Sequence, residues 1–164
     1  MILWATGFSG SGKSVYASYL SRHHKFVVLD GDELRADLSK DCAYDYPGRE
    51  EHGRRIIALC KILDKQGRDV FVSTILGDNT GRAWVKREIG HSKIIWVKAS
   101  IETCMERDPK GLYAKKLPYM VGVSTSWEDP IPPFLDLILD TENHDTTHNY
   151  RVLDAFINKE RGWK

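Results

Sequence analysis

The sequence predicts an α/β fold of three layers, α/β/α, around a mostly parallel central sheet. Three observations carry this. Short runs of β-branched and aromatic residues alternate with amphipathic stretches of helical period along most of the chain. The first such run, "ILWAT", passes straight into the glycine-rich "GFSGSGKS". The second ends in spaced acids, "VVLDGDE", at the carboxyl edge where sheets of this kind keep their ligand-handling residues.

The elements follow in order. Residues 2–6 read as the first strand and 13–22 as its helix; "KFVVLD" (25–30) is the second strand. "GDELRADLS" opens a short helix whose first turn is acidic, as the positive end of a helix dipole favours. Residues 49–67 form a helix with Ile56, Leu59, Ile62 and Leu63 on one stripe, closed by Gly67. Strands at 69–75 and 93–100 alternate with helices at 81–89 and 101–108, the latter stopped by Pro109. A strand at 134–140 and a helix at 147–161 complete the chain. Trp4 and Trp96 are expected in the core. Between 109 and 133 lie five prolines and little periodicity. So long an irregular segment is usually functional, and here a mobile lid is expected. No boundary divides 1–164, so a single domain is expected.

The chain has 164 residues, enough for one real core. Its net charge of +1, from 24 basic and 23 acidic residues, argues against a nucleic-acid polymer as partner. Cys42, Cys60 and Cys104 fit no metal or redox spacing; reduced thiols in a cytoplasmic protein are expected, with Cys60 and Cys104 as small core residues. No leader-like start and no apolar run long enough for a membrane span is seen, so no membrane association is expected. His23 and His24 suit a helix C-terminus, and His144 and His148 read as solvated.

Gly7-Phe8-Ser9-Gly10-Ser11-Gly12-Lys13-Ser14 fits G-x-x-x-x-G-K-[ST], a nucleotide phosphate loop, and it stands between a strand and a helix as that chemistry requires. Glycines let main-chain amides wrap phosphates, and the helix N-terminus adds partial positive charge. Lys13 reaches the β- and γ-phosphates and the Ser14 hydroxyl reaches Mg²⁺. Gly7, Ser9, Gly10, Ser11 and Gly12 supply the cradle. Asn158-Lys159 is followed by Glu160-Arg161 rather than by x-Asp, so a GTP switch is disfavoured and a small-molecule kinase of the P-loop NTPase class remains. For Asp30 and Asp32 two readings stay open. They hold Mg²⁺ waters or orient a hydroxyl, or they are a helix cap and its acidic first turn. Arg49 is either an anion grip or a solvated helix start, and Lys110 by itself reads as a surface lysine.

"GFSGSGKS", "LDGDELR", "REEHGRRI", "RDPKGLY" and "LILDTE" resemble, in order and approximate spacing, the adenylylsulfate (APS) kinase family, from Ile2 to about Thr141. The resemblance implies transfer of the ATP γ-phosphoryl group, with Mg²⁺, to the 3′-hydroxyl of APS. It implies Asp32 as the catalytic aspartate, aided by Lys13 and Lys110. Arg35, Arg49 and Lys110 would hold acceptor or phosphates, Tyr44 would stack on the acceptor base, and Arg107 would approach the ATP base. Ser14 and Asp30 would serve the metal, Asp30 through water. A homodimer is common in the family, though no feature here forces one.

The departures cluster at the acceptor. His52 stands where the family has asparagine. After the third strand the sequence runs Thr74-Ile75-Leu76-Gly77-Asp78-Asn79, without the family's arginine, though Arg82 remains. The lid phenylalanine that completes the base clamp is replaced by Met120 in Met120-Val121-Gly122-Val123-Ser124. These changes are compatible with a weaker or drifted APS kinase, or with another acceptor such as cytidine diphosphoramidate. The retained phosphate-handling residues favour APS. A non-catalytic nucleotide-binding module is the rival of another class, which the intact Lys13, Ser14, Asp32 and Lys110 set disfavours.

Overall fold

All five residues of β1 (Ile2–Thr6) are buried, which places this strand at the centre of the molecule. The computed structural model describes residues 1–116 and 118–162. Along the chain β1 is followed by α1 (Lys13–His24), β2 (Val27–Asp30), α2 (Gly31–Asp37), α3 (Tyr46–Lys65), β3 (Val70–Ser73), α4 (Asn79–Glu88), β4 (Lys93–Lys98), α5 (Ile101–Arg107), β5 (Leu137–Asp140) and α6 (Thr146–Glu160). The strands lie in the order β2-β3-β1-β4-β5, and every neighbouring pair is parallel. The two central pairings set Leu3 beside Phe71 and Lys93.

Strand alternation makes the three layers. Leu3, Ala5, Phe71, Ile95 and Val97 point to the face covered by Tyr16, Ala17 and Leu20 of α1 and Leu153 and Ile157 of α6. Ile2, Trp4, Val70, Val72 and Ile94 point to the face covered by Ile56, Ile57 and Cys60 of α3 and Val85 of α4. Trp4 is among the largest fully buried side chains, and its Nε1–H donates to Thr74 Oγ1 at 2.8 Å, so its polar atom is satisfied. Burial of such a ring contributes about 3 kcal/mol.

The three cysteines are buried and free, with Cys60 and Cys104 in the core as expected. Two core expectations do not hold. Ile62 is 53% exposed: it lies roughly 120° around the helix from Ile56, and Ile57 takes its place in the buried stripe. Trp96 is only half-buried, because its strand face there meets the 109–133 segment, with the Trp127 ring 6.5 Å away. Some boundaries also move. Lys25 closes α1 in the left-handed conformation, so β2 starts at Val27. The Asp45 carboxylate accepts from the Gly48 amide at 2.9 Å, so α3 begins at Tyr46, before Arg49. A Cβ on Gly48 would lie 2.2 Å from the Ala43 carbonyl oxygen; glycine there lets the 39–45 loop fold back onto the helix that carries Arg49.

Candidate functional site

The loop after β1 requires its glycines. Gly7, Gly10 and Gly12 have φ of 149°, 81° and 104°. A Cβ on Gly7 would lie 2.3 Å from the Val97 carbonyl oxygen, and one on Gly10 2.9 Å from that of Cys104. The loop therefore presses against β4 and α5. Gly12 is the N-cap of α1 and offers no side-chain acceptor, so the first amides of the helix are left to an anion. Ser14 is exposed in this first turn, whereas Ser11 is buried beneath the loop. The Lys13 ammonium is folded onto the loop, donating to the carbonyls of Gly7 (2.8 Å) and Phe8 (2.7 Å). Burial pulls its pKa down to about 8.

The carboxyl end of β2 supplies the acids. Asp30 Oδ1 accepts from the amides of Asp32 (2.9 Å) and Glu33 (3.4 Å), so Asp30 caps α2. Asp32 Oδ2 accepts from Lys110 Nζ at 2.5 Å. This bond holds the Lys110 ammonium above the ordinary lysine range. Asp30, Asp32, Ser14 and Lys110 together line one open cleft of about 510 Å³. The cap and cleft readings of Asp30 are thus compatible, because the carboxylate has two oxygens.

A second group lies beyond α2. Arg35 donates to the carbonyls of Cys42 (2.9 Å) and Ala43 (3.0 Å), and its guanidinium covers the Tyr44 ring at 4.5 Å. Arg49 donates from Nε to the Tyr44 carbonyl at 2.7 Å and from Nη2 to the Tyr119 carbonyl. Burial, and then the charge of Arg35, lower the Arg49 pKa. His52, one turn along α3, is buried, and among the described residues its Nδ1 has no hydrogen-bond partner. Burial, reinforced by the Arg35 charge, pushes its pKa down to about 4, so the ring is neutral at pH 7.

The segment from Pro109 to Pro133 forms no named helix or strand among its described residues. It is nonetheless attached to the loop and to the start of α4. Tyr113 donates to the Ser9 carbonyl at 2.9 Å, and Phe8 meets the Trp127 ring at 4.6 Å. Glu128 accepts from the Asn79 amide at 2.9 Å. Arg82 is fully buried: it donates to the Leu76 carbonyl (2.7 Å) and to Asn79 Oδ1 (3.0 Å) and lies over Trp127. Burial lowers its pKa to about 10. Arg82 supports this segment and does not replace the arginine missing after β3.

Lys13, Ser14, Asp30, Asp32 and Lys110 are brought together, and Arg35, Tyr44, Arg49 and His52 form a neighbouring cluster. Arg107 stands apart from both, donating to Thr141 Oγ1 (3.0 Å) and to the Thr141 carbonyl (2.7 Å). Thr141 Oγ1 in turn donates to the Ser11 carbonyl at 2.9 Å. Met120 packs its side chain with Phe8 and Ile101 against Ala99, Cys104 and Tyr113. Sequence reading assigned no role to Thr141 or Tyr113. Both lie in quoted motifs, "LILDTE" and "RDPKGLY", and that was the available signal.

A model of the adenylylsulphate kinase family matches residues 1–139. The chain belongs to this family. The kinase is 36% identical over 170 residues to the probable adenylyl-sulfate kinase of Bacillus subtilis (strain 168), covering 97% of this chain and 85% of the relative. The adenylyl-sulfate kinase of Pseudomonas aeruginosa is 36% identical over 156 residues, covering 88% of this chain and 78% of that one. Among solved structures, the Mycobacterium tuberculosis APS kinase CysC in complex with AMPPNP and APS matches with a TM-score of 0.83 at 30% identity, covering 93% of this chain and 95% of that one. No helix of the kinase, among the described residues, is long and apolar enough to cross a membrane.

Proposed function

We propose that this kinase transfers the γ-phosphoryl group of ATP to the 3′-hydroxyl of adenylylsulfate. The observation that supports it best is the Asp32–Lys110 pair in the cleft that Ser14 and Asp30 line, beside the glycine loop. The main-chain amides of Gly7 to Gly12 and the start of α1 hold the β- and γ-phosphates. ATP draws the Lys13 ammonium from the two loop carbonyls to the phosphate oxygens. Asp32 orients the acceptor hydroxyl and takes its proton. The hydroxyl oxygen forms a bond to the γ-phosphorus as the bond from the γ-phosphorus to the bridging oxygen of ADP breaks. Lys110, drawn from Asp32 towards the transferring group, supplies positive charge where negative charge spreads. Arg35 and Arg49 face anionic acceptor oxygens, with Tyr44 against the base. Arg107, carried by the strut to Thr141, borders the ATP base.

The donor set fits Mg²⁺: the Ser14 hydroxyl and, through water, the Asp30 carboxylate are hard oxygen groups in one cleft that would hold the ion. Among the described residues no group of three or more His, Cys, Asp or Glu side chains could hold a metal ion. When bound, the ion neutralises phosphate charge. The 109–133 segment acts as a lid over the glycine loop and excludes water from the transfer.

An acceptor panel with ATP and Mg²⁺ tests this. Adenylylsulfate is expected to support ADP release, and its 3′-deoxy form none. Transfer to cytidine diphosphoramidate alone, or ATP binding without turnover on any acceptor, would overturn the assignment.

The Lys13 pKa gives a pH dependence. Below about 8 the group is the ammonium that attracts triphosphate, and above that it is increasingly neutral. Bound phosphate favours the charged form, so binding at pH 9 takes up a proton. The ATP affinity of the protein without acceptor is expected to fall about tenfold from about pH 7 to about pH 9. Calorimetry across that range checks it, and the Lys13→Arg variant should be flat there, since a guanidinium stays charged.

A further inference from the structure

Two hydroxyls from distant parts of the chain tie down the glycine loop. Tyr113 Oη donates to the Ser9 carbonyl at 2.9 Å, across 104 residues. Thr141 Oγ1 donates to the Ser11 carbonyl at 2.9 Å, across 130 residues. The two pinned carbonyls belong to alternate peptides of the loop, Ser9–Gly10 and Ser11–Gly12.

The direction of each bond is fixed by its neighbours. Arg107 Nη1 donates to Thr141 Oγ1 at 3.0 Å, and Nη2 donates to the Thr141 carbonyl at 2.7 Å. A guanidinium has donors alone, so it occupies a lone pair of the hydroxyl and leaves the hydroxyl proton for a carbonyl. The Lys98 carbonyl is farther, at 3.2 Å, and already accepts the Thr141 amide at 2.9 Å. The proton therefore goes to Ser11. Tyr113 is buried, and burial pushes its phenol up to about 12, so it too remains a donor at neutral pH.

A peptide unit is planar and trans, so its C=O and N–H point in opposite directions. Pinning the Ser9 carbonyl to Tyr113 turns the Gly10 amide away from Tyr113. Pinning the Ser11 carbonyl to Thr141 turns the Gly12 amide away from the end of β5. Glycine cannot set these peptides by itself, because its backbone is the most permissive of all. Gly10 and Gly12 have φ of 81° and 104°. Nor does the Ser11 side chain hold them: among the described residues its Oγ has no hydrogen-bond partner. A Cβ on Gly12 would lie 3.7 Å from Thr141 Cγ2, so Thr141 also packs against this part of the loop.

We infer that Thr141 and Tyr113 are positioning residues of the donor site. Their hydroxyls hold two alternate peptides so that the Gly10 and Gly12 amides are presented to the triphosphate, and Arg107 acts on the same loop by fixing the Thr141 hydroxyl. The inference rests on the reading of this loop as the ATP site and does not depend on which acceptor is used. With the amides already aligned, phosphate binding does not have to order two freely rotating glycine peptides.

Calorimetry of the full chain with ATP and with tripolyphosphate, each with Mg²⁺, tests it beside steady-state kinetics. Tripolyphosphate carries the anion without base or ribose. Thr141→Val keeps the branched shape and removes the hydroxyl. It is expected to weaken ATP and tripolyphosphate by the same factor, about tenfold, with the KM for adenylylsulfate within about twofold. Thr141→Ser should restore both affinities. Tyr113→Phe should likewise weaken both phosphate ligands together. Should the valine variant fail to fold, Arg107→Met leaves Thr141 in place and is expected to weaken tripolyphosphate as well as ATP. Unchanged tripolyphosphate affinity in these hydroxyl-deleted variants would overturn the inference, as would a serine variant no better than valine. A valine variant that loses affinity for ATP alone would place Thr141 with the base rather than the phosphates, and would overturn it too. A wild-type protein that binds neither ATP nor tripolyphosphate would instead overturn the donor-site reading itself.

Discussion

Asp32→Asn is expected to lower turnover by about 10²–10⁴-fold while the dissociation constant for ATP stays within about threefold. The substitution keeps the shape of the side chain and removes its charge and basicity. In the resting enzyme the Asp32 carboxylate is engaged by the Lys110 ammonium at 2.5 Å. In the proposed mechanism it accepts a proton from the attacking hydroxyl, which an amide cannot do. In the same proposal ATP is held elsewhere, by the glycine loop and Lys13, so its affinity should hardly respond. The measurement is a kcat from ADP release beside a calorimetric ATP titration of the same variant. A loss of turnover smaller than about tenfold would remove Asp32 from the proton-accepting role. An equal loss of ATP affinity would make it a donor-site residue instead.

Lys13→Ala should abolish useful transfer, with kcat/KM lowered about 10³-fold or more. A fixed positive charge on the developing phosphate charge is worth about 3–4 kcal/mol in a water-excluded site, and Lys13 also contributes to ATP binding itself. The fold should survive. Among the described residues Lys13 bonds to the carbonyls of Gly7 and Phe8, and the loop shape is set by glycine conformations and by packing on Val97 and Cys104. A thermal melt close to wild type with transfer lost is the expected pair of results. Near-normal rates in this variant would contradict the placement of the triphosphate.

The most legible part of the site was the glycine loop, because its chemistry is local. The spacing of glycines and lysine, a strand before and a helix after, are all properties of adjacent residues. The acids at the end of β2 were half legible. Sequence could place Asp30 and Asp32 at a sheet edge but could not divide helix capping from ligand handling, and the structure shows Asp30 in a position to do both. Arg35 and Arg49 were readable as acceptor residues only through family resemblance. Their engagement with the carbonyls of residues 42–44 and 119 depends on a loop and a lid meeting, which no spacing encodes. Met120 was expected at the acceptor because it aligns with a clamp residue, yet its side chain is drawn into the Phe8 and Tyr113 cluster. Tyr119 carried no signal at all: its left-handed backbone and its latch to Arg49 exist only once residues seventy positions apart are neighbours. Ile62 and Trp96 were misjudged for a similar reason, since burial is decided by what packs opposite.

By itself the sequence determined the layered α/β/α class, the number and order of strands and helices, the phosphate loop and the family. These follow from short-range terms: the period of apolar residues, capping chemistry, and glycine's access to positive φ. Tertiary structure alone decided which charges face each other, which side chain of the 109–133 segment packs with Phe8 and Tyr113, and which arginine lies beneath that segment. Those outcomes depend on contacts between distant segments, whose free energies are comparable with one another and are resolved only when the whole chain is packed.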